Sequence, residues 1–474
     1  MPIATIDPTT GETIKVFDAL SDAELEAKVS LAAKAFSSYR KTSFADRAEL
    51  LDTVAGILDA EREDAAQTIT LEMGKPLKAA RAEVAKCADT FRYFARHGAE
   101  FLADEPGDAA AVKARQAYVR YQPLGPILAV MPWNFPLFQV TRFAAPGLMA
   151  GNVALLKHAS NVPQTALYIE DLLDRAGAPR GVFQTLLIGS DMVEGLLRDP
   201  RIRAATLTGS STAGSSVAAA AGRGVKKTVL ELGGSDPFVV LPSADLEAAV
   251  KVGVAARCQN NGQSCIAAKR FLVHTDIADE YERRFIERMS ALKVGDPADP
   301  ATDIGPLATE QGRRLVQEQV SDAISKGAVI HCGGRIPEGP GWFYPPTVLS
   351  GITPEMRMYR EEVFGPVAQL YRVASVEEAI ELANVTDYGL GSNVWTTDPG
   401  EQERFIDGFE AGLVFVNGAT TSYPELPFGG VKTSGYGREL GSHGIKEFCN
   451  VKTVWVGPQQ DVAGAGAGSG SRTE

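Results

Sequence analysis

The sequence predicts an α/β protein with two doubly wound parallel sheets and a small additional β element. Two patterns carry this. From Pro126 onward, short apolar runs alternate with stretches of helical periodicity, as a parallel sheet covered by helices requires. After Leu232 a second set of such runs begins. The length of 474 residues accommodates two or three domains with buried cores.

The first hundred residues read as helical. Ser21 and Glu24 form a capping box ahead of Leu25, Val29, Ala32 and Phe36. Ser43 and Asp46 open a second helix around Leu50, Leu51, Val54 and Leu58. A third spans about 76–102 and holds Cys87 among apolar neighbours, the setting of a packed thiol. Alternation over 114–121 predicts a hairpin strand. The strands of the first sheet are read at 127–131, 153–157, 183–188, 205–208 and 228–232. In the second, a helix at 246–256 leads through a Gly/Asn-rich turn to a strand at 270–274 and a helix at 277–292. Further strands are read near 367–371, 392–396 and 413–417. Past Pro458 the chain is rich in Ala, Gly and Ser and is expected to be disordered.

Bulk properties narrow the class. A net charge of −12 and a pI of about 5.2 speak against a nucleic-acid surface. The five Cys are odd in number and irregularly spaced, which argues for a reducing compartment. No CxxC or HxxxH spacing offers a metal site. The first twenty residues carry Asp7, Glu12 and Asp18 and no apolar run, unlike a signal peptide. No stretch approaches a membrane span. The expectation is a cytoplasmic protein without metal, nucleic acid or membrane partners.

Three segments carry candidate chemistry. Cys265 ends Asn260-Asn261-Gly262-Gln263-Ser264-Cys265, a polar segment expected to lead into a helix whose dipole would favour the thiolate. Glu231, in Leu230-Glu231-Leu232-Gly233-Gly234, ends an apolar strand at the carboxyl edge of a sheet, where open α/β sheets hold ligands. Asn134 is bracketed by prolines in Pro132-Trp133-Asn134-Phe135-Pro136, and a fixed Asn amide is a good oxyanion donor. Gly209-Ser210-Ser211-Thr212-Ala213-Gly214 lies between a strand and a helix, where a dinucleotide turn belongs, without a GxGxxG pattern. Singly, each has a plainer reading: a packed thiol, a turn acid, a turn amide, a helix start.

Together they resemble one family. PWNFP, LLKHAS, TGS, ELGG, NNGQSC, Glu362-Val363-Phe364-Gly365-Pro366 and Pro427-Phe428-Gly429-Gly430 occur in the order found in the aldehyde dehydrogenase superfamily. The resemblance extends over about 6–456. It implies two Rossmann-like domains: a cofactor domain (1–104 and 124–232) and a catalytic domain (233–432). It adds a small β oligomerisation element (105–123 and 433–457) and the tail 458–474. It implies an NAD(P)+-dependent oxidation in which Cys265 attacks an aldehyde. Asn134 and the Cys265 N–H would steady the oxyanion. Glu231 would activate the water that hydrolyses the resulting thioester. Relatives that transfer to coenzyme A typically lack this Glu, so a free acid is implied.

On the cofactor side, the resemblance implies Lys157 at the adenosine ribose, Ser210 at the pyrophosphate, and Glu362 at the nicotinamide ribose. Phe364 would pack near the ring. Trp133, Asn134, Gly209 and Leu232 complete the implied cofactor set. Ser160 stands where NAD-preferring relatives often carry Glu. A Ser does not repel a 2′-phosphate and Lys157 attracts one, so NADP+ is expected to be preferred, with NAD+ second.

Arg142 and Ser422 match carboxylate contacts of the succinate-semialdehyde dehydrogenases in this family, and HASNVP also resembles its bacterial members. Many members carry another Arg six residues before the nucleophile; here that residue is Gln259. This leaves glutarate semialdehyde or a broad aldehyde range as alternatives to succinate semialdehyde. A non-catalytic protein of the same fold is the remaining alternative, opposed by the intact Cys265, Glu231 and Asn134. Ala267 removes any disulfide between Cys265 and a Cys two residues on. Edge strands around 114–121 and 446–456 suggest a homodimer or homotetramer.

Overall fold

The computed structural model describes residues 2–458, and the tail expected to be disordered lies outside them. The chain opens with an antiparallel hairpin, β1 (Ile3–Ile6) and β2 (Thr13–Phe17), where only helices were expected. Its β-branched residues, Thr13, Ile14 and Val16, favour the strand. Four helices follow: α1 (Asp22–Tyr39), α2 (Phe44–Ala60), α3 (Arg62–Met73) and α4 (Leu77–Phe101). Both expected capping boxes form. Helix α3 had no sequence reading, because its buried face is small residues such as Ala65 and Ala66 and includes Glu72.

Two short strands, β3 (Glu105–Pro106) and β4 (Gln116–Pro123), precede the first large sheet. Strand β4 starts two residues later than the alternation suggested, after Lys113 takes a left-handed φ of 53°. The sheet itself contains β5 (Pro126–Met131), β6 (Val153–His158), β7 (Phe183–Thr185), β8 (Ala204–Thr208) and β9 (Lys227–Glu231). All five are parallel, in the order β9-β8-β5-β6-β7. Helices α5 (Phe138–Met149), α6 (Pro163–Arg175), α7 (Val193–Arg198) and α8 (Ser211–Arg223) fill the connections. Strand β7 ends short of the expected 188, because the chain folds back at this edge and Ile188 N bonds Leu186 O.

The second sheet contains β10 (Asp236–Val240), β11 (Ala268–His274), β12 (Val329–Cys332), β13 (Thr347–Ser350), β14 (Val367–Val373), β15 (Gly391–Trp395) and β16 (Leu413–Val416). Their order is β12-β13-β14-β11-β10-β15-β16, parallel except for the β12–β13 pair. Helix α9 (Leu246–Cys258) connects β10 to the loop before β11. Strands β6, β8, β10 and β15 are buried along their whole length, as parallel strands covered on both faces must be. A late strand, β17 (Gly435–Tyr436), pairs with β9 and so brings the C-terminal region against the first sheet. The last, β18 (Cys449–Val456), pairs with β4 in a three-stranded antiparallel sheet with β3. Among the described residues, no helix is long and apolar enough to cross a membrane.

Candidate active site

The loop after β5 is held from below. Glu83 on α4 accepts hydrogen bonds from Leu137 N and Phe138 N, both at 3.0 Å, and pairs with the fully buried Lys75. The Lys75 ammonium lies 4.1 Å from the centre of the Phe135 ring. His158, at the end of β6, contacts Pro136 O at 2.8 Å through Nε2. Asn134 is therefore fixed and 4% exposed. Its Nδ2 donates to Gln263 O at 3.2 Å, and its O accepts from Asn260 Nδ2 at 2.7 Å. The prolines and the network tie Asn134 to the Cys265 loop. One amide proton is used there; the amide carries a second.

That loop departs from the expected helix start. Helix α9 ends at Cys258, and no helix begins at Cys265; a turn leads directly into β11. The reason is local. Asn260, Asn261 and Gly262 take left-handed φ angles of 56°, 58° and 75°, a run that Asn and Gly tolerate and that a right-handed helix cannot contain. Side chains hold it: Arg257 donates to Gly262 O at 2.6 Å, and Asn261 donates to Gly74 O and Pro306 O at 2.9 Å. Lys269, which the sequence reading missed, donates to Ser264 O and Cys265 O at 3.0 and 2.7 Å. With no helix dipole at Cys265, burial dominates and pushes its thiol up to about 12, opposed by the charges of Arg142 and Lys269. The expected helix-stabilised thiolate is thus corrected.

Glu231 ends β9 and is buried. Among the described residues, both carboxylate oxygens lack a hydrogen-bond partner. Burial holds its carboxyl well above the usual range, and the neighbouring charge of Glu439 adds to this. Glu439 was not singled out in the sequence. Its Oε2 lies 2.7 Å from Arg142 Nε, yet the N–H does not point along that line, so the contact is an ion pair rather than a formed hydrogen bond. The Arg142 guanidinium also sits 4.3 Å from the centre of the Phe428 ring.

A cavity of about 250 Å³ opens beside Cys265. Arg142, Gln259, Ser422 and Phe138 line it, so the structure brings the nucleophile candidate and both carboxylate-contact candidates together. Glu231 is not on its wall; its carboxylate lies toward Gly429, whose added Cβ would meet Oε1 at 2.7 Å. Lys86 on α4 also reaches the wall and was missed in the sequence. Lys86 lies three residues after Glu83 on α4, and that spacing was the one local signal for it; Glu439 lies outside the helices and offers none.

The remaining candidates gather at the carboxyl ends of the first sheet. Lys157 ends near the close of β6, 8% exposed, and no hydrogen-bond or ion-pair partner is found among the described residues. Burial lowers its proton affinity. Ser160 follows, and its carbonyl accepts from Ala4 N at 2.9 Å. Gly209 leads into α8, whose N-cap is Ser210, accepting from Ala213 N at 3.2 Å. Gly214 packs so tightly on Leu232 that an added Cβ would meet it at 2.6 Å. Glu362 accepts from Gly234 N at 3.1 Å and lies 3.3 Å from Lys269 Nζ. Trp133 and Phe364 meet edge to face, 5.7 Å between ring centres. A buried cation at the end of β6 and a helix N-terminus after β8, on the same edge of the sheet, both suit the phosphates of a dinucleotide.

Comparison with known proteins identifies the family. The aldehyde dehydrogenase family model matches residues 1–454. The chain is 62% identical, over the full length of both proteins, to a succinate-semialdehyde dehydrogenase [NADP(+)] of Mycobacterium avium. It is 64% identical to succinate-semialdehyde dehydrogenase [NADP(+)] 1 of Mycobacterium tuberculosis, over 96% of this chain and all of that one. Succinic semialdehyde dehydrogenase from Streptococcus pyogenes, solved with NADP+, superposes with a TM-score of 0.93 at 39% identity, covering 96% of this chain and all of that one. An NAD-dependent aldehyde dehydrogenase from Sinorhizobium meliloti gives the same TM-score at 33% identity, covering 98% and 93% of the two chains, so the backbone alone does not separate the two cofactors. This chain belongs to the aldehyde dehydrogenase family.

Proposed function

We propose that this chain oxidises succinate semialdehyde to succinate with NADP+ and releases the acid by hydrolysis. One observation carries the reading: Cys265, Arg142 and Ser422 share one cavity, so a nucleophile and carboxylate-binding groups face the same small space. The mycobacterial relatives bear that activity in their names.

The cofactor reading rests on Lys157. Among the described residues no counter-charge acts on it, and Ser160 brings none, so an added 2′-phosphate meets a cation that those residues leave unpaired. NADP+, when bound, supplies the hydride acceptor. The chain's own groups do the rest. Cys265 Sγ adds to the aldehyde carbon as its thiol proton passes to solvent, which leaves a thiohemiacetal oxyanion. The second Asn134 amide proton and the Cys265 N–H hold its oxygen. Loss of hydride leaves a thioester on Cys265. Glu231, as a carboxylate, takes a proton from water as the water attacks the thioester carbon; succinate leaves and the thiol is restored. Burial and Glu439 raise the proton affinity of Glu231, which suits a base working near neutral pH. For this step the Glu231 side chain must turn from Gly429 toward Cys265.

The direct test follows NADPH absorbance with purified protein and a panel of aldehydes. The expected result is the highest kcat/KM with NADP+ and succinate semialdehyde. Equal rates with glutarate semialdehyde and uncharged alkanals overturn the substrate assignment, and a clear preference for NAD+ overturns the cofactor assignment.

The reading extends to assembly and compartment. Strand β18 is the outer strand of its sheet, and its Val451 and Trp455 are more than half exposed. Unpaired strand edges recruit partners, which favours a homodimer or homotetramer. Light scattering tests this, and a monomer contradicts it. All five cysteines are free, which suits the cytoplasm.

A further inference from the structure

The cavity beside Cys265 has a cation that the sequence reading did not assign. Lys86, on α4, donates from Nζ to Ser422 Oγ at 2.8 Å and lies 4.4 Å from the centre of the Phe138 ring. Both neighbours, like Lys86 itself, line the cavity that holds Cys265 and Arg142.

The carboxylates around it are otherwise committed. Glu83 also reaches the cavity, but it is bound to Lys75 and to the N–H groups of Leu137 and Phe138. Arg142, from α5, lies 2.7 Å from Glu439. Cys87, next on α4, is a fully buried thiol whose proton burial holds in place. Gln259 is neutral. Lys86 has no carboxylate within ion-pair distance among the described residues, only a hydroxyl and a ring face. A cation taken from water with so little in return favours an incoming anion. Burial, and then the Arg142 charge, push Lys86 down to about 8.

Resting on the substrate reading above, we propose that Lys86 is the second cation that binds the substrate's distal carboxylate, in the role left empty by Gln259. The hydrogen-bond pattern suits this. Ser422 accepts from Lys86, so its own hydroxyl proton is left to donate. A carboxylate at this end of the cavity meets an ammonium, a hydroxyl and Arg142, while its aldehyde end meets Cys265. Specificity is then moved from the position before the nucleophile onto helix α4.

The test compares succinate semialdehyde with 4-oxopentanal, which replaces the carboxylate by a methyl ketone of similar size. In K86Q the ratio of kcat/KM for the two should fall by about ten-fold or more, through KM for the charged substrate. K86R should restore the ratio. In the wild type, KM for succinate semialdehyde should rise above pH about 8 as Lys86 loses its proton. That limb should be absent with 4-oxopentanal and flattened in K86R. An unchanged ratio in K86Q, or equal loss on both aldehydes, overturns the role of Lys86 alone. A wild type that does not prefer succinate semialdehyde overturns the substrate reading and this inference together.

Discussion

The Lys75–Glu83 pair and the Arg142–Glu439–Glu231 group are both buried charge clusters against helix α5, yet they are built in opposite ways. Glu83 is fully engaged: an ammonium and two backbone N–H groups share its oxygens. Among the described residues, Glu231 and Glu439 have no hydrogen bond to any of their four oxygens, and Arg142 keeps two nitrogens without a hydrogen bond. A satisfied buried network fixes a backbone; an unsatisfied one stores proton affinity. The first cluster therefore reads as the scaffold for Asn134 and the second as chemistry. Substitutions in each should fail in different observables.

The largest effect is expected on the chemical side. E231Q keeps the shape but cannot take a proton, so steady-state turnover should fall by about 10²–10⁴-fold while thermal stability holds. A turnover within a few-fold of wild type breaks the assignment. On the scaffold side, E83A leaves the Lys75 charge buried without its partner. Such losses cost about 3–5 kcal/mol, and calorimetry should show a lowered Tm. An unchanged Tm would show that this pair is not the scaffold.

Smaller effects sharpen the contrast. K157M removes a cation from the implied phosphate site, and KM for NADP+ should rise by about ten-fold with little change for NAD+. Equal rises for both would place Lys157 away from the 2′-phosphate. E439Q removes the charge that raises the Glu231 pKa and frees Arg142 to pair with Glu231. Activity that needs the Glu231 carboxylate appears as pH rises through its pKa. The acid limb of kcat should therefore move to lower pH in E439Q, and a shift to higher pH contradicts the coupling.

What was legible in the sequence follows the same division. The β–α alternation and the caps of α1 and α2 are local signals, and they form as expected. Strand β10 was not read, because its short run opens on Asp236-Pro237 directly after Gly233-Gly234 and so reads as a continued turn. The environment of Cys265 was misread because Asn260-Asn261-Gly262 was taken as a turn leading into a helix, whereas its three left-handed backbones lead straight into a strand. Arg142 and Ser422 were found by motif, but Glu439 and Lys86 were not. Their importance lies in what they meet across the fold: Glu439 meets Arg142, and Lys86 meets Ser422. Long-range pairing of this kind leaves no periodic trace in a single chain.

The central claim is that Cys265 carries the acyl group and Glu231 releases it. Mixing E231Q with NADP+ and succinate semialdehyde, followed by rapid quench and peptide mass spectrometry, tests both parts at once. The account predicts a burst of one NADPH per subunit, a stall, and a succinyl group on the Cys265 peptide. No burst and an unmodified Cys265 peptide, or steady turnover without accumulation, would contradict it.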